Sequence, residues 1–316
     1  MASNRAPVHR SRGNGISRRW WILALALFLA FDVALIALAL NANRAPAGVA
    51  AKTPAPPTAS SLPSESSTPT PTTAAPVVAP KRLLAAVSAD VAWRGVVGVC
   101  PDGSSALEYT EDGGASWTSV DPALETSANT LVRIVPNSAT EANVVTLNGD
   151  CDPQLVGTFV AGEAWEDYSG NLGSYWYVDP TDAGNVQSPS GPQAAPCASV
   201  IALATRTEST AVLCGDQTVF ELTSGSAEWS GPLAVPGAVA LAGSGDGYIV
   251  AVSGQAECEG TSVVVITGGG PSPASGCLSG AVLPGETAVG AASDGTLWLW
   301  AGENFVRSTD GGATWS

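Results

Sequence analysis

Apolar positions follow three different patterns along the 316 residues. Between 20 and 40 they run almost unbroken for 21 residues, interrupted by one charge, Asp32. Between 41 and 80 the chain turns to Pro, Ala, Ser and Thr. From 82 onward apolar residues gather in short or alternating runs, such as 96–99, 143–147, 199–204, 248–252 and 287–291, most of them bounded by Gly, Asp, Ser or Pro. Runs of this length with such boundaries predict β-strands, and no stretch beyond residue 40 sustains a helical period. The pattern therefore predicts an all-β domain over 81–316, preceded by one helix and one linker.

At about 1.5 Å per residue the 20–40 run is long enough to cross a hydrocarbon core of roughly 30 Å. Its twelve Leu, Ile, Phe and Val residues, at about −0.3 to −0.6 kcal/mol each, outweigh Asp32 at about +2.5 to +3.5 kcal/mol. Five arginines (Arg5, Arg10, Arg12, Arg18, Arg19) precede the run and only Arg44 and Lys52 follow it before the β domain. That bias places the 1–19 tail on the cytoplasmic side. A cleaved signal peptide is the competing reading, but its apolar region spans only about 7–15 residues. An uncleaved signal-anchor is therefore expected, with a single pass through the cell membrane and the β domain extracytoplasmic. Asp32 is either a polar contact for a partner helix or a tolerated acid. The 41–80 linker, with nine prolines and three charges, cannot bury a core and favours extended chain.

One pattern occurs twice in the β domain: TEDGGASW at 110–117 and STDGGATW at 308–315. Each follows a strand-like run, 106–109 and 304–307. A carboxylate two residues past a strand end accepts hydrogen bonds from turn N–H groups, and the glycines supply positive φ. The Trp then anchors the next strand through a large apolar ring whose N–H needs a partner. Thr110, Asp112, Gly114 and Trp117, with Ser308, Asp310, Gly312 and Trp315, make this a stapled hairpin turn. The pattern resembles the Asp-box, or BNR repeat, of sialidase-like β-propellers, including those of the photosystem-assembly-factor kind. The resemblance implies propeller architecture over 82–316, with the boxes on the face away from any active site. The Ala-, Gly- and Val-rich, lysine-poor composition is similar to that of high-GC bacterial proteins of the actinobacterial type.

Degenerate copies test for a true repeat. TFVAGEAW at 158–165 keeps Thr158, Gly162 and Trp165 without the Asp, and 222–229 keeps little beyond Trp229. The segment 169–176 also fits with Asn171 in place of Asp, but it lies too close to Trp165 for another blade and reads as a loop. The run 263–270 supplies a blade between Trp229 and Trp315. Repeats of roughly 40–50 residues are propeller-like. The expectation is about five four-stranded blades, or six if 177–198 hides one. The run 82–87 is expected to complete the last blade and close the ring, removing open edges.

Cys100, Cys151, Cys197, Cys214, Cys258 and Cys277 all follow the membrane run, so three disulfides are expected on the exported side. Six cysteines permit 15 connectivities; neighbour pairing (100–151, 197–214, 258–277) keeps each bridge within or between adjacent blades. Only Asp32 and Glu65 of the 28 acidic residues precede residue 81, but seven of the 13 basic residues do, leaving 26 acids against six bases and a balance of −20. Such a domain disfavours nucleic acid and anionic membrane as partners.

The sialidase resemblance implies an arginine triad, a Tyr–Glu nucleophile and an Asp acid/base. Arg82, Arg94, Arg133, Arg206 and Arg307 offer no clear triad, although RIVP at 133–136 loosely echoes the family's Arg-Ile-Pro motif. No residue is assigned a catalytic role. Oxygen side chains alternate at Asn148, Asp150 and Asp152 as in calcium loops, but Pro153 stands where a glycine is needed. No metal or cofactor is expected. Tyr168, Tyr175, Trp176 and Tyr177 crowd one segment and either form a recognition surface or fill a blade joint. The reading is a binding or scaffold module of the cell envelope with a protein or glycan partner. A glycan-active enzyme, sialidase-like or another glycoside hydrolase, is the alternative.

Overall fold

A computed structural model describes residues 78–316, except 246 and 269. The basic tail, the span read over 20–40 and the linker as far as residue 77 lie outside the described residues. Among the described residues no helix is long and apolar enough to cross a membrane. The remainder is a β-propeller of six sheets in chain order around a central channel.

Blade 1 holds β1 (Arg82–Ala86), β2 (Ala92–Val96), β3 (Ala106–Thr110) and β4 (Thr118–Val120). Blade 2 holds β5 (Thr130–Pro136), β6 (Ala142–Leu147), β7 (Pro153–Thr158) and β8 (Glu166–Asp167). Blade 3 has three short strands, β9 (Tyr177–Val178), β10 (Asn185–Ser188) and β11 (Gly191–Ala194). Blade 4 follows with β12 (Val200–Thr205), β13 (Ser209–Cys214), β14 (Thr218–Thr223) and β15 (Ser230–Ala234). Blade 5 contains β16 (Ala238–Ser244), β17 (Gly247–Gln255), β18 (Cys258–Thr267), β19 (Gly270–Pro271) and β20 (Ser275–Ser279). Blade 6 is β21 (Thr287–Ala291), β22 (Leu297–Ala301) and β23 (Asn304–Ser308). All named pairings are antiparallel, so each blade is a meander.

The expected strands are present, with one shift: β2 ends at Val96, and Val97 to Val99 leave the sheet. Two larger corrections concern the ring. The blades number six rather than five, because 177–194 forms blade 3, and only blades 1, 2 and 4 are four-stranded sheets. The run at 82 does not complete the last blade. It is β1, paired to β2 as the innermost strand of blade 1.

Blade 3 also runs against the pattern of its neighbour. The Trp176 carbonyl, just before β9, accepts from Arg133, whose guanidinium also reaches Thr205 at the end of β12. Ala183, beyond the other end of β9, accepts the N–H of Val200 at the start of β12 (2.8 Å). β9 and β12 therefore point in opposite directions. A 3₁₀ segment (Ser169–Ser174) precedes the inverted blade.

The core lies between blades. Trp93, Leu107 and Tyr109 of blade 1 pack on Leu131, Val144 and Val156 of blade 2. Comparable apolar clusters fill the joints 2/3, 3/4, 4/5 and 5/6. Middle strands sit between two neighbours, so β13 (STAVLC) is buried at every position. The outermost β15 (SGPLA) has no second neighbour and is mostly exposed.

The sixth joint, between blade 6 and blade 1, is built differently. Arg82 lies over the Trp300 ring at 4.3 Å, and Arg94 lies over Trp117 at 4.1 Å and Trp300 at 5.0 Å. Trp298 donates its indole N–H to the Ser88 carbonyl (3.0 Å), and Asp294 accepts the Ala89 N–H (2.8 Å). Stacked cations and aromatic rings with backbone clasps thus do the work of a shared strand.

Candidate functional site

In the two stapled turns local chemistry dictates the geometry. Thr110 donates its hydroxyl to Asp112 (2.8 Å) and accepts the Gly114 N–H (3.0 Å), while Asp112 accepts both the N–H (2.9 Å) and the hydroxyl (2.5 Å) of Ser116. Ser308, Asp310, Gly312 and Thr314 repeat the network at 2.7–2.9 Å. These bonds favour the charged carboxylates and hold both well down, to about 2, with the Ser116 hydroxyl leading at Asp112 and the Thr314 N–H at Asp310. Trp117 packs under Arg94 and edge-on to Phe305. Trp315 packs into the 5/6 joint, where its buried indole N–H finds no partner among the described residues.

The turn of blade 2 keeps half of this network. Thr158 accepts the Gly162 N–H (2.9 Å), and Trp165 donates its indole N–H to the Gly162 carbonyl (3.1 Å). Val160 stands where the stapled turns have Asp. It is 45% exposed and its neighbour Phe159 57%. Phe159 meets Tyr168 edge-on at 6.0 Å. The Tyr168 hydroxyl donates to Glu166 (2.6 Å), and that bond with the nearby charge raises the phenol's pKa. Glu163, Glu166 and Asp167 are exposed beside this knuckle. The lost Asp is visible in the sequence, but the exposure of the two apolar side chains depends on the fold.

The aromatic segment behind it divides. Tyr177 is buried against Val145 and Leu155, with Tyr175 half-buried in the same 2/3 joint, and burial raises the pKa of both phenols. Trp176 faces the other way, into the 3/4 joint. These three side chains fill blade joints; Tyr168 also packs against the 2/3 joint but extends to Phe159 and Glu166 of the outward group.

The disulfides pair 100–151, 197–214 and 258–277, the neighbour pairing expected from sequence. Cys100 and Cys151 lie in the β2–β3 and β6–β7 connections, and Cys214 and Cys258 border the equivalent connections of blades 4 and 5. In a meander those connections fall on the face opposite the β3–β4 type of turn. The bridges therefore brace the loops on the face away from the stapled turns. There Asn148 accepts the N–H groups of Asp150 (2.9 Å) and Asp152 (3.0 Å), closing a polar turn. No cluster of three His, Cys, Asp or Glu suited to a metal occurs among the described residues.

The channel, about 600 Å³, is lined by the innermost strands β1, β5, β9, β12, β16 and β21. Its wall is largely Ala, Val, Leu and Ile, and the charged groups on it are Arg82, Arg133 and Asp179. Arg82 is committed to Glu286 (3.2 Å) and to the carbonyls of Glu286 and Gly302. Asp179 loses solvation there, yet bonds from Thr181 and Gln187 lower its pKa. Among the described residues Arg133 bonds only neutral acceptors, the Trp176 carbonyl and the Thr205 hydroxyl (2.7 Å). Its residue retains some exposed area, but the guanidinium is sunk in the wall, and desolvation pushes its pKa down to about 10.

No family model matches the chain, and none of the curated proteins does. Solved structures do. YCF48 bound to a D1 peptide is similar at 15% identity and a TM-score of 0.43, over 76% of this chain and 81% of that one. AofleA from Arthrobotrys oligospora matches at 10% identity and a TM-score of 0.48, over 76% and 86%. The Aleuria aurantia lectin, described as a six-bladed β-propeller that recognises fucose, matches at 13% identity and 0.45, over 76% and 94%. Likeness at these values carries no function across.

Proposed function

We propose that this chain is a membrane-anchored Asp-box propeller, displayed outside the cytoplasm, that binds or scaffolds a protein partner in the cell envelope. The observation that supports this most directly is the blade 2 turn, where an Asp that would staple the turn gives way to two exposed apolar side chains. Phe159 and Val160 stand together, braced by Tyr168 and edged by Glu163 and Glu166. An apolar tip with an acidic rim suits a partner segment that carries an apolar residue flanked by Lys or Arg. Enzymatic hydrolysis by a carboxylate pair has little support in the channel, whose lining includes one carboxylate, Asp179.

The test is site-specific photocrosslinking in cells from a reactive residue at position 159 of the full-length chain. A discrete protein, crosslinked through a basic segment and no longer captured from the equivalent position in a Val160→Asp variant, supports the proposal. Capture of polysaccharide alone, or capture unchanged by Val160→Asp, refutes it.

A further inference from the structure

Six basic residues occur from Lys81 onward, and five of them have a carboxylate within 4.0 Å. Lys81 and Arg82 pair with Glu286, Arg94 with Glu108, Arg206 with Glu221, and Arg307 with Asp90. Arg133 is the exception among the described residues, and it lies on the channel wall. Removing a cation from water without a counter-charge is costly, so a protein that retains one there needs a reason.

Folding of the repeat does not supply that reason. The innermost strands of blades 2, 4 and 5 share a register shift near their start, falling between Leu131 and Arg133, Val200 and Ala202, and Ala238 and Ala240. Arg133, Ala202 and Ala240 thus hold equivalent places after the same bulge, a feature that re-aims side chains. Two blades fill the place with a methyl group, and blade 2 fills it with a guanidinium. Trp176 and Thr205 engage two of its nitrogens. An arginine carries five N–H donors, so donor capacity remains for a further acceptor.

We propose that the channel binds a small monocarboxylate with an apolar body, its head group on Arg133 and its body against the aliphatic wall. The ligand class follows from the surroundings. A volume of about 600 Å³ lies in the range of small-molecule sites. The wall offers methyl and branched aliphatic groups, which reward an apolar body rather than a sugar. Among the described residues one cation on the channel wall has no carboxylate partner, and it matches one negative charge. The domain's balance of −20, together with Asp179 on the channel wall, repels polyanions such as phosphate esters and nucleic acid. This site is separate from the Phe159 knuckle and stands whether or not that surface has a partner.

The experiment titrates the full chain with hexanoate and, separately, with hexanamide, following both by calorimetry and ligand-observed NMR. The amide has the same chain without the charge, so binding to other apolar segments cancels in the comparison. Hexanoate is expected to bind about tenfold or more tightly, the factor that a charge-assisted hydrogen bond supplies. Arg133→Gln removes the charge and should abolish the preference. Ala202→Phe leaves Arg133 in place, blocks the channel and should abolish it too, which keeps the test intact if Arg133→Gln fails to fold. Equal binding of acid and amide to the wild type, or a preference that survives either folded variant, overturns the proposal and leaves Arg133 as a stitch between blades.

Discussion

Replacing Arg94 by Met tests whether cation–aromatic stacking closes the ring. The Arg94 guanidinium lies 4.1 Å from the Trp117 centroid, 5.0 Å from Trp300 and 5.4 Å from Phe305, and it bonds Glu108 at 2.7 Å. Its side chain is 19% exposed and that of Glu108 31%. Stacking of a cation on an aromatic face contributes about 0.5–1 kcal/mol when exposed and about 2 when desolvated. Three faces share one cation here, so about 2 kcal/mol in total is the appropriate scale. The partly solvated ion pair adds about 1 kcal/mol or less. Met preserves much of the aliphatic stem, so Arg94→Met should cost about 2–3 kcal/mol. For a domain of this size that is a fall in Tm of roughly 5–10 °C. Glu108→Gln removes only the pair and should cost no more than about 1 kcal/mol. Calorimetry or denaturant melts of both variants in the full chain give the comparison. If the two cost the same, or Arg94→Met costs under about 0.5 kcal/mol, stacking of Arg94 on the rings contributes nothing to the seam.

The stapled turns make two further predictions. Gly312 has φ +90°, and a Cβ there would sit 2.2 Å from Val263 Cγ2, so Gly312→Ala should cost about 2–4 kcal/mol. Gly311, at φ +71° with open space around it, should cost only about 1 kcal/mol on the same change, and equal costs in thermal melts would remove packing from the explanation. Asp112 and Asp310 are held at about 2, below the ordinary carboxylate value near 3.9. Their stabilisation is therefore complete above that ordinary value and lost as pH falls toward 2. Asp112→Asn with Asp310→Asn should flatten the decline in Tm between pH 4 and pH 2, and an unchanged slope would assign the acid sensitivity elsewhere.

The sequence announces whatever is decided within a few residues. The turns at 110–117 and 308–315 carry their donors, acceptor and glycines in eight positions, so they are legible without a fold. Strands such as β6, β13 and β17 are legible for a related reason: packed between neighbouring blades, they are short segments rich in apolar residues. Blade 3 escapes both signals. Its β9 has two residues, its outer β11 reads Gly-Pro-Gln-Ala, and Val186 is the one fully buried apolar side chain among its named strands. Its inverted direction shows only in contacts with distant residues, Arg133 and Val200, and not in its own sequence. Arg133 shows the same limit more sharply. Its acceptors lie 43 and 72 residues away, and only closure of the ring places a strand arginine on a channel wall without a carboxylate partner among the described residues. The blade 2 turn falls between these cases. Its missing Asp is a local fact, but the meaning of Val160 depends on Tyr168 arriving beneath Phe159 to hold an apolar edge in solvent. Loss of a stabilising side chain reads as decay in a sequence; at this braced turn the same loss leaves two apolar side chains held in solvent.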